Sequence, residues 1–289
     1  MFVPVTAIYL MNQENILITG GTSGLGLELA KLFCCGGSNV WITGRTLKAG
    51  LPDGMKLHFL RTDFADLRQT ENAVRELLGE RISFDVIVNN AGVLGPPSYT
   101  TTRDGFEYTF QVNFLAHLLV NNLILSEHVP GKPVTLAIVT SPVYRVVNPD
   151  FRIPDGSKYF SYEMYSLTKH YLLLAGDYMK KKYKNQNIRL IKFNPGVFGS
   201  GIYRTKQNWF QILYRIAAPF MRSASKPAGL LYELIHESHL REDIVYRSKR
   251  KAGPASPELT AEAEKFLLAC EEAIIQSQFQ DDPVLLPYP

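Results

Sequence analysis

Tyr165-Ser166-Leu167-Thr168-Lys169 sets a phenol and an ammonium four residues apart, which are neighbours on one face of a helix. A cation beside a phenol favours the phenolate and draws its pKa from about 10 toward neutrality. A phenol tuned in this way exchanges a proton with an alcohol or carbonyl oxygen near pH 7. Taken alone, the pair reads equally as a solvated Tyr/Lys couple on a helix surface. Ser141 closes an apolar run and offers a hydrogen bond to the same oxygen; the plain alternative is a turn serine ahead of Pro142. Asn113 interrupts the apolar stripe Phe106, Phe110, Ala116. An amide there is either satisfied by backbone or holds an ordered water in a proton path. The Gly-x-Ser-x-Gly elbow of a serine hydrolase is absent.

These groups need a scaffold, and the chain announces one near its start. Ile16-Leu17-Ile18 is a short apolar run of the kind that makes a buried parallel strand. Thr19-Gly20-Gly21-Thr22-Ser23-Gly24-Leu25-Gly26 follows, and Leu25, Leu29, Leu32 and Phe33 then recur at helical spacing. A strand, a glycine turn and a helix in that order aim free N–H groups and a positive helix end at one point, which suits a phosphate. The expected phosphate cradle is Gly20, Thr22, Ser23, Gly24, Leu25 and Gly26. Its spacing, Gly-x-x-x-Gly-x-Gly, differs from the Gly-x-Gly-x-x-Gly of the long-chain dinucleotide binders.

Further strands are expected at Asn39–Thr43, Leu57–Arg61, Phe84–Asn89, Pro133–Thr140, Ile188–Phe193 and Ile244–Tyr246. Between them, Asp66 with Gln69 marks a helix start. Long helices are expected from about Asp104 to His128 and from Ser161 to Tyr183. Ser256-Pro257 would open the last one, with the hydroxyl as cap and proline at the first helical position. Alternating strands and helices predict an α/β protein: one Rossmann-type, doubly wound sheet of about seven parallel strands with helices on both faces. Ligands of such sheets sit at the carboxyl ends of the strands. Arg45, Asp63, Asn90, Ser141 and Pro195-Gly196 all follow strand ends, so one edge of the sheet is marked.

The 289 residues suffice for one large domain. It divides into a nucleotide-binding and catalytic core over 14–200, a substrate lid and last strand over 201–255, and a C-terminal helix and tail over 256–289. A net charge of +4, spread along the chain, gives no reason to expect nucleic acid as partner. Cys34, Cys35 and Cys270 are the three cysteines; none has metal-ligand spacing, Cys34 and Cys35 read as core thiols, and the count fits a reducing, cytoplasmic setting. Met1–Leu10 is apolar but about half a membrane span and lacks a basic start, so it reads as an extension before the first strand.

Together these pieces resemble the short-chain dehydrogenase/reductase superfamily over nearly the whole chain. The matching residues are Thr19-Gly20-x-x-x-Gly24-x-Gly26, Asn89-Asn90-Ala91-Gly92, Asn113, Ser141, Tyr165-x-x-x-Lys169 and Pro195-Gly196. Asp104-Gly105-Phe106-Glu107, leading to Val112-Asn113-Phe114-Leu115-Ala116-His117, and the long interval from Ser141 to Tyr165 look most like the retinol dehydrogenase-like branch. Thr168 stands where serine is commoner, and Ala116 where glycine is usual. The resemblance implies that Tyr165 is the general acid or base and that Lys169 holds the nicotinamide ribose. It gives Ser141 the polarisation of the carbonyl and Asn113 a water linking Lys169 to solvent. Asp63 would meet the adenine amine with Phe64 beside it. Asn90, Ala91 and Gly92 would line the adenosine side, and Pro195, Gly196 and Val197 the nicotinamide side.

An NAD site wants a carboxylate after the second strand; here Gly44 stands there and Arg45 follows, with Lys48 nearby. A guanidinium suits a 2′-phosphate, so NADP(H) is expected in preference to NAD(H). Tyr203–Met221 carries Trp209, Phe210, Ile212, Leu213, Ile216 and Ala217 in the position of a lid, with Arg204, Lys206, Arg215 and Arg222 interleaved or flanking. That points to a small lipophilic aldehyde, ketone or alcohol as substrate, and allows peripheral contact with an anionic membrane. A homodimer or homotetramer is compatible with this reading. The competing reading is a catalytically idle NADP-binding sensor or scaffold, which loss of Tyr165 or Lys169 would have favoured. A nucleotide-sugar epimerase would want a larger C-terminal domain.

Overall fold

The computed structural model describes residues 13–47, 55–196, 223–247 and 254–279. Ile16, Leu17 and Ile18 on β1 (Asn15–Ile18) are all fully buried, because helices cover both faces of their strand. Ile16 and Ile18 pack into one layer and Leu17 into the other, the period-two alternation of a strand. The remaining strands are β2 (Asn39–Gly44), β3 (Leu57–Arg61), β4 (Val86–Asn89), β5 (Pro133–Val139), β6 (Asn187–Phe193) and β7 (Val245–Tyr246). They form one sheet in the order β3-β2-β1-β4-β5-β6-β7, with each pair parallel. The order reverses between β1 and β4, so a crevice opens where the loops after these two strands part.

One face is covered by α1 (Gly24–Cys35) and α6 (Ser225–Ile235), whose Leu25, Leu29, Phe33, Leu231 and Leu234 meet Ile16, Val40 and Val88. The other carries α2 (Leu67–Gly79), α3 (Tyr108–Phe110), α4 (Ala116–Ser126), α5 (Ser161–Lys182) and α7 (Ala261–Phe279). Phe110, Phe114, Tyr171 and Phe266 form an aromatic cluster between them, with ring centroids 4.7 Å apart for Tyr171 and Phe266. Edge and tilted contacts of this kind are the favoured geometries of aromatic pairs.

Several boundaries differ from the sequence expectation, each for a local reason. The helix expected from Asp104 begins at Tyr108. Gly105 takes φ 84° in a turn bridged by Thr101 and Glu107, and the Glu107 carboxylate accepts from Phe110 N (2.6 Å) as the cap. It then widens into a π turn over Gln111–Leu115 before α4, and ends at Ser126. Ser256 does not cap the last helix: its N–H donates to Asp243 O beside the bridge between Ile244 and Ala255. Thr260 Oγ1 accepts from Ala263 N instead, and α7 starts at Ala261. Cys35 is exposed and Cys34 only half-buried, because the buried stripe Leu25, Leu29, Phe33 turns residue 35 outward. The start at Asp66 is as expected, with Gln69 N donating to its carboxylate at 2.8 Å. Met1–Leu10, Lys48 and the apolar run Tyr203–Met221 lie outside the described residues. Among the described residues, no helix is long and apolar enough to cross a membrane.

β6 carries one charge into the interior. Lys192, 2% exposed, alternates with Ile191 and Phe193, so its side chain faces α5, where Nζ lies 2.7 Å from each carboxylate oxygen of Asp177. Burial raises the Asp177 pKa, and the Lys192 charge opposes that rise. A buried charge stays only while its partner does. Lys192→Ala is therefore expected to lower the urea unfolding midpoint strongly. Because the Asp177 side chain is 27% exposed, the loss should fall short of the ~3–5 kcal/mol of a fully buried broken pair.

Candidate active site

The loop after β1 is held open by its neighbours. Gly20 sits at φ 65°, a conformation that side chains rarely tolerate, and a Cβ there would reach Ala91 Cα at 2.8 Å. Its N–H donates to Thr43 Oγ1 (3.1 Å), and Gly21 N donates to Thr43 O (3.1 Å). α1 abuts the loop so closely that a Cβ on Gly26 would lie 2.5 Å from Gly20 O. Ser23 is the N-terminal flanking residue of α1 in extended conformation, its hydroxyl makes no capping bond, and the first turn carries no acid. The N–H groups of that turn are thus left to a ligand at the positive helix end.

A second strap crosses above the sheet after β4. Asn90 N and Ala91 N both donate to Thr19 Oγ1, at 2.9 and 3.0 Å. The Asn90 amide reaches back to Thr19 O (2.9 Å) and Gly20 O (3.2 Å), tying strap to glycine loop. Asn113, fully buried in the π turn, clamps the next residue with both ends of its amide: Oδ1 accepts from Val93 N (2.7 Å) and Nδ2 donates to Val93 O (2.9 Å). Nδ2 also lies 3.2 Å from Thr168 Oγ1 on α5. The side chain of Asn113 is thus engaged with backbone and Thr168.

α5 brings the phenol and the ammonium to the strap. Lys169 is 2% exposed; its Nζ donates to Val139 O (3.2 Å) and lies 5.9 Å from the Tyr165 ring centroid. A Cβ on Gly92 would approach Nζ to 3.1 Å, so the strap lies directly against the cation. Burial pulls the Lys169 pKa down to about 8. The same helix holds the turn that carries Ser141. Ser166 Oγ donates to Val143 O (2.6 Å), and His170 Nδ1 bonds Tyr144 O (3.1 Å), within the short helix Pro142–Arg145 that Ser141 precedes.

All these pieces line one cleft of about 820 Å³ at the carboxyl ends of the strands. Of the residues picked from the sequence, Gly20, Thr22, Ser23, Gly24, Leu25, Arg45, Asp63, Phe64, Asn90, Ala91, Gly92, Ser141, Tyr165, Lys169, Pro195 and Gly196 line it. Gly26 and Asn113 stand behind its wall, and Val197 lies outside the described residues. The structure adds Thr43, Tyr108, Val112 and Thr140 to the lining. Tyr108 has its phenol pKa raised by burial, with the Arg45 charge opposing and Asp63 adding to the rise, so these three share one end of the cleft. Nothing in the sequence pairs Tyr108, at the start of α3, with Arg45, which follows β2; the fold brings them to one end of the cleft. Among the described residues, no cluster of His, Cys, Asp or Glu is arranged to hold a metal ion.

The model of the short chain dehydrogenase family matches residues 14–210, the stretch that builds this cleft. The chain belongs to the short-chain dehydrogenases. Retinol dehydrogenases are among the relatives it matches. It is 30% identical to mouse retinol dehydrogenase 14 over 68% of this chain and 64% of that protein. It is 31% identical to a Streptomyces protein named as a candidate daunorubicin C-13 ketoreductase, over 84% of this chain and 85% of that one. A chicken WW domain-containing oxidoreductase is 27% identical over 76% of this chain, which spans 57% of that relative's length. The chain thus covers less than two thirds of two of these relatives. Among solved structures, an uncharacterised protein of Mycobacterium paratuberculosis superposes with TM-score 0.68 at 20% identity, over 91% of this chain and 94% of that one.

In a short-chain dehydrogenase the buried lysine carries a thermodynamic signature. The folded pKa of Lys169, about 8, lies below the ordinary value near 10.5, so folding is opposed while the group is protonated. That cost is full below pH 8 and disappears as pH rises to about 10.5. Lys169→Met is expected to raise Tm at pH 7, with a gain over the native protein that shrinks from pH 8 upward in thermal melts.

Proposed function

We propose that the protein is an NADP(H)-preferring oxidoreductase that moves hydride between the nicotinamide and a lipophilic aldehyde, ketone or alcohol. The observation that carries this reading is the buried Lys169, drawn to about pKa 8 beside Tyr165, at one end of a cleft whose other end is the glycine loop. The cradle suits a dinucleotide: the start of α1, whose backbone N–H groups no side chain caps, lines the cleft at Gly24 and Leu25.

When bound, the nicotinamide supplies or takes the hydride, so the protein's work is binding, orientation and proton transfer. The loop N–H groups and the start of α1 hold the pyrophosphate. Lys169 bonds the ribose and favours the ionised phenol of Tyr165. Tyr165 gives its proton to the carbonyl oxygen in reduction and takes it from the alcohol in oxidation. Ser141 bonds the same oxygen and polarises it. Asn113 holds the strap through both ends of its side-chain amide, in place of the water that the resemblance implies for it. Asp63 meets the adenine amine.

Preference for NADP(H) rests on Arg45, exposed at the cleft rim, and on the absence of an acid at position 44. Steric crowding supports that absence. A Cβ on Gly44 would lie 2.6 Å from Thr22 Cγ2, so a carboxylate enters only if Thr22 gives way. A lipophilic substrate is supported by the apolar run Trp209–Met221 and by the names of two relatives, a retinol dehydrogenase and a daunorubicin ketoreductase. Peripheral contact of that run with a membrane from the cytoplasm, and a homodimer or homotetramer, remain part of this reading.

Tyr165→Phe is expected to keep cofactor affinity and lose about a hundred- to ten-thousand-fold in turnover, followed by absorbance of the reduced nicotinamide across a panel of carbonyls and alcohols. Near-native turnover in that variant would remove the assigned mechanism.

The second test addresses the cofactor. Arg45→Ala should weaken NADPH binding by about tenfold or more and leave NADH unaffected. Gly44→Asp combined with Arg45→Ala and Thr22→Ala should turn preference toward NADH. Equal affinity of the native protein for both cofactors would refute the role of Arg45.

A further inference from the structure

His117 lies in the first turn of α4, fully buried, between two parts of the site. Its Nε2 lies 3.0 Å from Thr19 Oγ1, and its Nδ1 lies 3.1 Å from Asn113 O. The roles follow by counting. A hydroxyl has one proton and two lone pairs. Thr19 Oγ1 accepts from Asn90 N and Ala91 N, which uses both lone pairs. It is left as a donor, toward His117 Nε2 or toward Val88 O at 3.2 Å, a carbonyl that already accepts Thr19 N. Asn113 O is a carbonyl and only accepts, so Nδ1 of His117 must carry the proton and Nε2 must be bare. Burial and the Lys169 charge keep the ring neutral, pulling its pKa down to about 3. Phe64 stands edge-on to it, with centroids 5.2 Å apart.

The two residues that His117 joins anchor the strap 90–93: it meets Thr19 at the hydroxyl that takes the strap N–H groups, and it meets Asn113, whose side-chain amide grips the strap, at the main-chain carbonyl. Thr19 holds its leading N–H groups, and Asn113 holds both backbone atoms of Val93. Between them sits Gly92, against Lys169 Nζ. Asn113 also belongs to the π turn, where hydrogen bonding is looser than in an α-helix. We propose that His117 is a positioning residue: a neutral, Nδ1-protonated imidazole that sets the spacing of the two strap anchors, and so the fit of the strap against Lys169 and the affinity for the nucleotide. The proposal rests on reading the cleft as a dinucleotide site.

The test uses the full chain, with NADPH and NADH as probes. His117→Phe keeps a ring against Phe64 and removes both hydrogen bonds. His117→Asn places an amide nitrogen near the position of Nδ1, and His117→Gln places an amide near that of Nε2. In His117→Phe the dissociation constant, read from nucleotide fluorescence, should rise about tenfold. The Asn and Gln variants, keeping one bond each, should fall between it and the native protein whatever their melting temperatures. The imidazole 15N shifts of the native protein at pH 7 should show a protonated Nδ1 and a bare Nε2. A lowered Tm with nucleotide affinity within twofold of native, or the opposite tautomer, would overturn the proposal. Should His117→Phe fail to fold, native affinity in both the Asn and Gln variants would overturn it. A native protein that binds neither nucleotide refutes the reading of the cleft itself, and the proposal with it; a native protein that binds while every variant matches it refutes only the role of His117.

Discussion

Taking an ammonium out of water is costly, and Lys169 is taken almost wholly out of it. The Val139 carbonyl offsets part of the cost, and the depressed pKa records the remainder. Much of the surrounding architecture bears on that one group. β5 must end where its last carbonyl meets Nζ. Residue 92 must lack a side chain, since a Cβ would crowd the cation at 3.1 Å. α5 must bring Tyr165 and Lys169 to the same strap. Elsewhere along α5, Gly176 lets the helix lie close to β6, where a Cβ would meet Leu190 at 2.9 Å. A side chain kept charged at a stability cost marks a position held for chemistry rather than for packing.

The strap 90–93 is where binding and chemistry meet. Its leading amides hang from Thr19 at the end of β1, and its last residue is gripped by Asn113 in the π turn. Its middle presses on Lys169, which lies against the Tyr165 ring. The glycine loop, through Thr19 and the strap, is thus mechanically linked to Lys169 and the helix that carries Tyr165. Position in this site comes from short, paired hydrogen bonds between neighbouring elements, and α3, α4 and α5 are held in turn by the aromatic cluster of Phe110, Phe114, Tyr171 and Phe266.

The far end of the cleft obeys different physics. Arg45 is exposed at the rim, so its charge is screened and acts through geometry and direct contact rather than at long range. Thr22 crowds position 44, which keeps a competing carboxylate from that corner. Tyr108 and Asp63 share this corner with Arg45 and shape the space around its guanidinium.

The strand, glycine turn and helix around Thr19–Gly26 were legible in the sequence because their signals are local: a short apolar run, glycines at fixed spacing, then a change of period. So were the parallel sheet and the residues at its strand ends, since alternation of strands and helices leaves little freedom in topology. The Tyr165/Lys169 spacing declared one helix face. Sequence did not show that Lys169 on this face is buried while Tyr165 opens onto the cleft, which separates the pair from a solvated couple. The helix end at Asp104 was misplaced because the turn at Gly105 and the cap at Glu107 move the start to Tyr108, and the one at Ser256 because its N–H is taken by the Asp243 carbonyl. Tyr108 beside Arg45, Thr22 against Gly44, and His117 against Thr19 join residues from 22 to 98 positions apart. No local pattern encodes such meetings. The pairing of β1 with β2 decides the second of them, and the packing of α4 against the end of β1 the third.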